Sequence, residues 1–96
     1  MTVKVIALVT INEDQPMALA KYLELTTPVL DRVGAEIVER YQLEADVVGD
    51  RSARTVILVD YPSREAVDEV FASAEYEAAK PYRDMAFSDY MVSLVL

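Results

Sequence analysis

Cysteine and histidine are both missing from this sequence of 96 residues. Without cysteine the chain cannot form a disulfide, use a thiolate nucleophile, or bind an iron–sulfur cluster or a thiolate-ligated zinc ion. Without histidine it cannot use a His-based catalytic triad, a His-ligated haem or the facial triad of non-haem iron. We therefore expect neither a metal site nor a bound cofactor.

Glycine is scarce, and long apolar runs are absent. Two glycines cannot build a Gly-rich phosphate-binding loop, so Gly49-Asp50-Arg51-Ser52 is interpreted as a turn. No apolar run is long enough to cross a bilayer, and the first six residues lack the layout of a signal peptide. We expect a cytoplasmic protein that does not enter a membrane.

Positive charge is also in short supply. The chain has 17 acidic and 9 basic residues, which gives a net charge of −8. A field of that sign repels phosphate backbones and anionic lipid surfaces, so nucleic acid and membranes are not expected partners.

Apolar residues, in contrast, are abundant. They make up 53% of a chain whose length suits a single domain over residues 1–96. Small domains have the least interior in which to bury apolar side chains. Some of this apolar surface is therefore expected to contact a partner.

Four segments have the composition of β-strands, namely residues 3–11, 35–42, 54–61 and 87–96. The first and third are apolar on both faces, which is typical of central strands covered on each side. The second carries more charge and suits a sheet edge.

Helical spacing fills the intervals between these strands. The first helix is predicted to start at Pro16 after a capping acid, to contain Pro28 and to end at Gly34. A second helix follows the cap Ser63. A short third helix is predicted from the cap Ser73 through Tyr76, because Pro81 should disturb it.

This order predicts an α+β, ferredoxin-like β-α-β-β-α-β fold with a four-stranded antiparallel sheet and helices on one face. Strands 1 and 3 should lie in the centre, with strand 4 beside strand 1 and strand 2 beside strand 3. The helices can cover only one of two apolar sheet faces. The other face predicts a homodimer, since soluble monomers rarely leave such a surface exposed.

Short sequence blocks along the chain add a resemblance. They are Tyr22, Pro28, Gly34 and Arg40; Val48-Gly49-Asp50 with Arg54; Val59-Asp60-Tyr61-Pro62-Ser63 with Ala66; Phe71, Ser73 and Glu75-Tyr76; and Tyr82-Arg83-Asp84-Met85-Ala86-Phe87. In these blocks the chain resembles the dimeric α/β-barrel superfamily, and within it the bacterial family known as domain of unknown function 1330. The resemblance implies two sheets paired into a dimeric α/β barrel. Relatives in the superfamily include cofactor-independent monooxygenases and small lyases or isomerases, but a shared fold does not transfer function.

Tyrosine is the commonest aromatic residue, and Tyr22 and Tyr76 are the candidates for a ligand site. Phenols in a pocket can stack on an aromatic ligand or donate a proton. The alternative is that they fill the rim of a small core with their hydroxyls in water.

Arg40, Arg54 and Arg83 are the candidate groups for binding a carboxylate or an enolate oxygen, since guanidinium is always charged and presents a planar fork. In so acidic a chain the alternative is a set of salt bridges to Asp and Glu.

Three functions fit these features. The favoured one is a dimer that binds a small, mostly apolar or aromatic organic molecule in a cleft between sheet and helices of each subunit. The second is a cofactor-independent monooxygenase- or isomerase-like enzyme acting on an aromatic or enolisable substrate. The third is a purely structural or assembly role.

Overall fold

The computed structural model describes residues 2–50 and 53–96. Its strands are β1 (Val3–Ile11), β2 (Glu36–Gln42), β3 (Thr55–Tyr61) and β4 (Phe87–Leu94). Its helices are α1 (Pro16–Val33), α2 (Arg64–Phe71) and α3 (Ala74–Ala86). The sheet order is β2-β3-β1-β4, and all three strand pairs are antiparallel. The predicted ferredoxin-like fold and the predicted neighbours of each strand are confirmed.

The helix ends confirm part of the capping prediction. Gly34 adopts φ 80° at the end of α1, a left-handed conformation that glycine takes without steric cost. The Ser63 Oγ accepts a hydrogen bond from the Ala66 N–H, and the Ser73 Oγ accepts one from the Tyr76 N–H. The predicted capping acid before α1 is wrong, since Gln15 occupies the cap position and makes no side-chain bond there.

The third helix is longer than predicted. It continues from Ala74 through Pro81 to Ala86 rather than stopping near Tyr76. Proline removes one intrahelical hydrogen bond, but Tyr76, Ala79 and Ala86 are all buried on this helix. Packing of that face against the rest of the molecule outweighs the lost bond. Arg83 therefore lies within a helix and not at a turn.

The second strand ends where the sequence predicts, at Gln42. In the segment that follows it, the side chains of Val47 and Val48 are almost fully exposed. Gly49 has a positive φ, which suits the predicted turn. Arg51 and Ser52 of that turn lie outside the described residues.

One face of the sheet packs against the helices. Val5 on β1 and Tyr61 on β3 form a buried cluster with Val29 of α1 and Val67 and Val70 of α2. This cluster is the hydrophobic core. The candidate site lies between the sheet and the helices, and this cluster packs at one end of that space.

The opposite face of the sheet has no helix. Alternation along the strands places an apolar patch on it, formed by Ile6, Leu8, Val56, Leu58 and Met91. We call this surface the open face. A salt bridge between Lys4 and Asp60, 2.7 Å long, borders the patch at one end.

The edge strand β2 is irregular. Its pairing with β3 shifts between Ile37 and Glu39, so an extra residue interrupts the ladder there. Every residue of β2 is exposed in the described structure. Its exposed acids and its bulge confirm the expectation of an edge strand.

Candidate functional site

The candidate site is a cleft of about 150 Å³ between the covered face of the sheet and the helices. Its floor is the middle of the sheet, where the small side chain of Ala7 lies between Ile57 and Val92 on the neighbouring strands. Its roof is α1. The lining residues are Val5, Ala7, Val9, Tyr22, Leu23, Thr26, Leu30, Ile37, Arg40, Ile57, Val59, Tyr61, Val70, Phe71, Tyr76, Phe87, Tyr90 and Val92.

Nearly all of these side chains are apolar or aromatic, and none is a carboxylate or a lysine. The Thr26 hydroxyl is already engaged, because it donates to the Tyr22 carbonyl at 3.0 Å. The exposed side chains of Leu23, Ile37 and Arg40 lie where the cleft meets solvent, between α1 and the edge strand β2. A molecule entering there would meet apolar walls first.

Three tyrosine hydroxyls form a hydrogen-bonded chain at the other end of the cleft. Tyr22 and Tyr90 share a bond of 2.7 Å in which either hydroxyl can donate. The Tyr76 hydroxyl donates to the Tyr90 oxygen at 3.4 Å. Arg83 donates from Nη1 to the Tyr76 oxygen at 3.0 Å. We call Tyr22, Tyr90 and Tyr76 the phenol chain.

Aromatic packing holds the phenol chain in place. The Tyr22 ring meets the Phe87 ring edge to face at 5.3 Å, and Tyr76 meets Phe71 in the same way at 4.9 Å. The Arg83 guanidinium lies 5.4 Å from the Tyr90 ring centroid, within the range of a cation–π contact. These contacts fix the rings on three different elements, α1, α3 and β4.

Burial changes the acidity of several phenols. It raises the pKa of Tyr22 to about 12, although the hydrogen bond between Tyr22 and Tyr90 opposes this. Burial likewise raises the pKa of Tyr61 to about 12. For Tyr90, burial and the negative charge that a neighbouring Tyr22 phenolate would carry both raise the pKa. At neutral pH all three are therefore neutral hydroxyls able to donate a hydrogen bond.

These shifts predict alkaline sensitivity. Since the pKa of Tyr22 and Tyr61 is higher in the folded protein than the ordinary value of 10.0, the unfolded chain loses these protons first. The contribution of these two phenols to the free energy of unfolding is therefore fully present below about pH 10 and is lost between about pH 10 and 12. The loss should amount to about 2–3 kcal/mol for each phenol. Urea unfolding across this range measures the effect.

The matched comparison for this prediction is Tyr22→Phe against Tyr41→Phe. The first removes a buried phenol and should make the loss of stability shallower. The second removes a phenol that is about half exposed on β2 and should leave the slope unchanged. Equal slopes in the wild type and both variants contradict the prediction.

Three of the five candidate residues line the cleft: Tyr22 and Tyr76 at one end, and Arg40 at its far side on β2. Arg83 does not line it but donates to the Tyr76 hydroxyl. Arg54 is exposed and is not among the lining residues. Its backbone N–H donates to the Thr10 Oγ1 at 3.1 Å.

The salt-bridge alternative applies to Arg83, which pairs with Asp84 at 3.1 Å while still donating to Tyr76. The Arg40 side chain has no hydrogen bond or ion pair with any residue that the structure describes.

Sequence reasoning missed the central member of the site. Tyr90 is not among the candidates identified from the sequence, yet it links Tyr22 to Tyr76. Its signal was the alternation in β4, which puts Tyr90, Val92 and Leu94 on the covered face opposite Val9, Ala7 and Val5.

Two wider observations concern the described part of the chain. Residues 2–50 and 53–96 contain no group of three or more acidic side chains placed to hold a metal ion. None of the described helices has the length and apolarity needed to cross a membrane.

The chain was compared with protein families and with curated proteins. The model of a family described as "Domain of unknown function (DUF1330)" matches residues 3–95. No curated protein matches the chain.

Solved structures share the fold. A protein of unknown function from Rhodopseudomonas palustris is 25% identical, with a TM-score of 0.82 over 98% of this chain and 80% of that one. A dimeric protein of unknown function with a ferredoxin-like fold, from Bacteroides fragilis, is 13% identical, with a TM-score of 0.60 over 98% and 94%. A structure described as an antibiotic biosynthesis monooxygenase is 21% identical, with a TM-score of 0.65 over 100% and 97%.

Proposed function

The chain belongs to the DUF1330 family, whose description names no activity, and we propose its function from the cleft. We propose that the protein is a homodimer, paired through its open faces, in which each single-domain subunit binds a small aromatic or mostly apolar molecule. The single observation that carries the binding part is an apolar cleft that the helices and the sheet leave unfilled.

The size of the cleft limits the ligand. Protein interiors normally pack without such gaps, so a space of this volume is unusual in a domain of 96 residues. An engineered cavity of about 150 Å³ with apolar walls binds benzene, whereas drug-sized ligands need about 300 Å³ or more. A neighbouring hollow of about 240 Å³ shares Phe71, Tyr76 and Tyr90 with the cleft. The ligand we propose is one ring with a short substituent.

The candidate residues take distinct parts in this proposal. Tyr22 and Tyr76 contribute ring faces and hydroxyls, and Arg83 holds the Tyr76 hydroxyl in position. Arg40, on the far side of the cleft, offers positive charge near the opening. Arg54 is the weakest candidate because it does not line the cleft.

The dimer rests on a second observation. The open face presents five apolar side chains in one patch, and Met91 within it is 59% exposed. A patch of this kind is energetically unfavourable in water and is stabilised by burial against a second copy. The similar Bacteroides fragilis protein is described as dimeric, which supports a homodimer here.

The experiment that tests binding is a screen of monocyclic aromatic compounds against the purified protein. Native mass spectrometry first identifies any small molecule that copurifies. Thermal unfolding with toluene, styrene, phenol and benzaldehyde then measures stabilisation, which grows with ligand concentration above the Kd. We expect one ring-sized compound or more to raise Tm. If none does, the cleft is not a ligand site and a purely structural or assembly role takes its place.

A second candidate function is catalysis without a cofactor on an aromatic or enolisable substrate. The phenol chain anchored on Arg83 favours it, because such donors stabilise negative charge on a reacting oxygen. In such a reaction no cofactor takes part, so the substrate itself supplies the electrons, and in a monooxygenase dioxygen is the oxidant, with one oxygen atom entering the product and the other leaving as water. Oxygen uptake with a hydroquinone, compared between the wild type and Arg83→Met, distinguishes turnover from binding alone.

A further inference from the structure

The phenol chain contains more hydrogens than its own bonds can use. Three hydroxyl groups carry three hydrogens, and the two bonds between phenols use two of them. One O–H is therefore left without an acceptor within the chain. Which tyrosine carries this unused O–H depends on the direction of the hydrogen bonds along the phenol chain.

Arg83 sets that direction. A guanidinium can only donate, so the Tyr76 oxygen is the acceptor in the bond from Arg83. The Tyr76 hydroxyl in turn donates to the Tyr90 oxygen. The spare hydrogen then lies on Tyr90 or on Tyr22, whose oxygens are 2.7 Å apart and which both line the cleft.

We propose that the ligand of the cleft carries a carbonyl or enolate oxygen, which accepts the spare O–H of the Tyr22–Tyr90 pair. This inference rests on the proposed binding function and adds the chemical class of the ligand. Arg83 acts as a positioning residue, since it reaches the ligand only through Tyr76.

The apolar surroundings of the Tyr22–Tyr90 pair should make the preference for a ligand with such an oxygen strong. The cleft is apolar around the pair, and Tyr22 is only 8% exposed. A buried donor without an acceptor destabilises a complex, so a ring that lacks the oxygen binds with an unpaired O–H beside it. Sites built to pair a polar group discriminate strongly against analogues that lack the partner. The chain of donors from Arg83 also strengthens the last bond.

Styrene and benzaldehyde are the probes that test this preference. Both are planar, and they have the same number of heavy atoms, but only benzaldehyde has a carbonyl oxygen in place of the terminal carbon. The measured quantity is the ratio of their Kd values. We expect the wild type to prefer benzaldehyde.

Three variants locate the donor. In Tyr22→Phe/Tyr76→Phe/Tyr90→Phe, which removes every hydroxyl of the phenol chain, the preference for benzaldehyde should fall by about tenfold or more, while styrene still binds. Tyr22→Phe alone or Tyr90→Phe alone should keep a preference, since the remaining hydroxyls still include a free hydrogen. The control is Tyr61→Phe, which removes another phenol that lines the cleft but lies outside the chain. It should leave the ratio unchanged.

A spectroscopic measurement on the wild type keeps the proposal testable if the triple variant does not fold. The C=O stretching frequency of bound benzaldehyde should fall below its value in cyclohexane, since a hydrogen bond weakens the carbonyl bond. Arg83→Met should reduce this shift.

The outcomes separate the two proposals. If neither probe binds, the binding function is wrong and this inference falls with it. If styrene binds as well as benzaldehyde, if the triple variant keeps the full preference, or if the carbonyl frequency does not move, the ligand class is wrong while the binding function stands. If Tyr61→Phe loses the preference for benzaldehyde, the carbonyl oxygen of the ligand is bound by Tyr61, and the role assigned to the Tyr22–Tyr90 pair is wrong.

Discussion

Leu8→Lys is expected to convert the proposed dimer into a monomer. Leu8 lies on the open face between Val56 and Met91, its partners on the two neighbouring strands. In a face-to-face pair a lysine there would be buried without a counterion, which costs about 3 kcal/mol or more and weakens association by about 100-fold or more. Sedimentation at low micromolar concentration measures the change in mass.

The choice of lysine excludes a simpler explanation. It changes the net charge from −8 to −7, so general repulsion between two acidic subunits decreases. Met17→Lys is the matched control, because it adds the same charge at a helix position that is 85% exposed. It should remain dimeric. A monomeric wild type, or a Leu8→Lys variant that still dimerises tightly, contradicts pairing through the open face.

Ala7→Leu is expected to abolish ligand binding without unfolding the protein. Ala7 is the small residue in the floor of the cleft, and a leucine there fills space that the ligand needs. Filling an unfilled space often stabilises a domain, so Tm of the ligand-free protein should stay the same or rise. The stabilisation by benzaldehyde should disappear, which corresponds to a Kd raised by about 100-fold or more, about 3 kcal/mol.

Ala20→Leu is the control for this substitution. It adds the same atoms to an exposed position of α1 that does not line the cleft. It should bind the ring compounds as the wild type does. If Ala7→Leu binds them equally well, the ligand occupies some other part of the molecule and the assignment of the cleft fails.

Most of the fold was predictable because the sequence features that indicate it lie within short stretches of the chain. Apolar residues on both faces of β1 and β3 place these strands in the centre, and serine caps mark the starts of α2 and α3. The length of α3 was not predictable in this way. Whether a helix continues through Pro81 depends on burial of Tyr76 and Ala79, and that burial involves residues far away in sequence.

The site was predictable only in part for a related reason. Tyr22, Tyr76 and Arg83 could be identified as candidates from their residue types and neighbours. Their connection requires Tyr90, which is 68 positions from Tyr22 and 14 from Tyr76. Such a contact depends on strand register and helix placement together. Residue spacing along the chain therefore could not reveal the hydrogen-bonded chain or the hydrogen it leaves over.

The bulge in β2 has a consequence for assembly beyond the pair. Unpaired strand edges are templates on which further chains can add and grow into fibres. At this edge the extra residue between Ile37 and Glu39 breaks the hydrogen-bonding pattern, and Glu36 and Glu39 would face like charges on an incoming copy. Growth of the sheet past β2 is thereby disfavoured, which protects a chain this rich in apolar residues from aggregation through that edge.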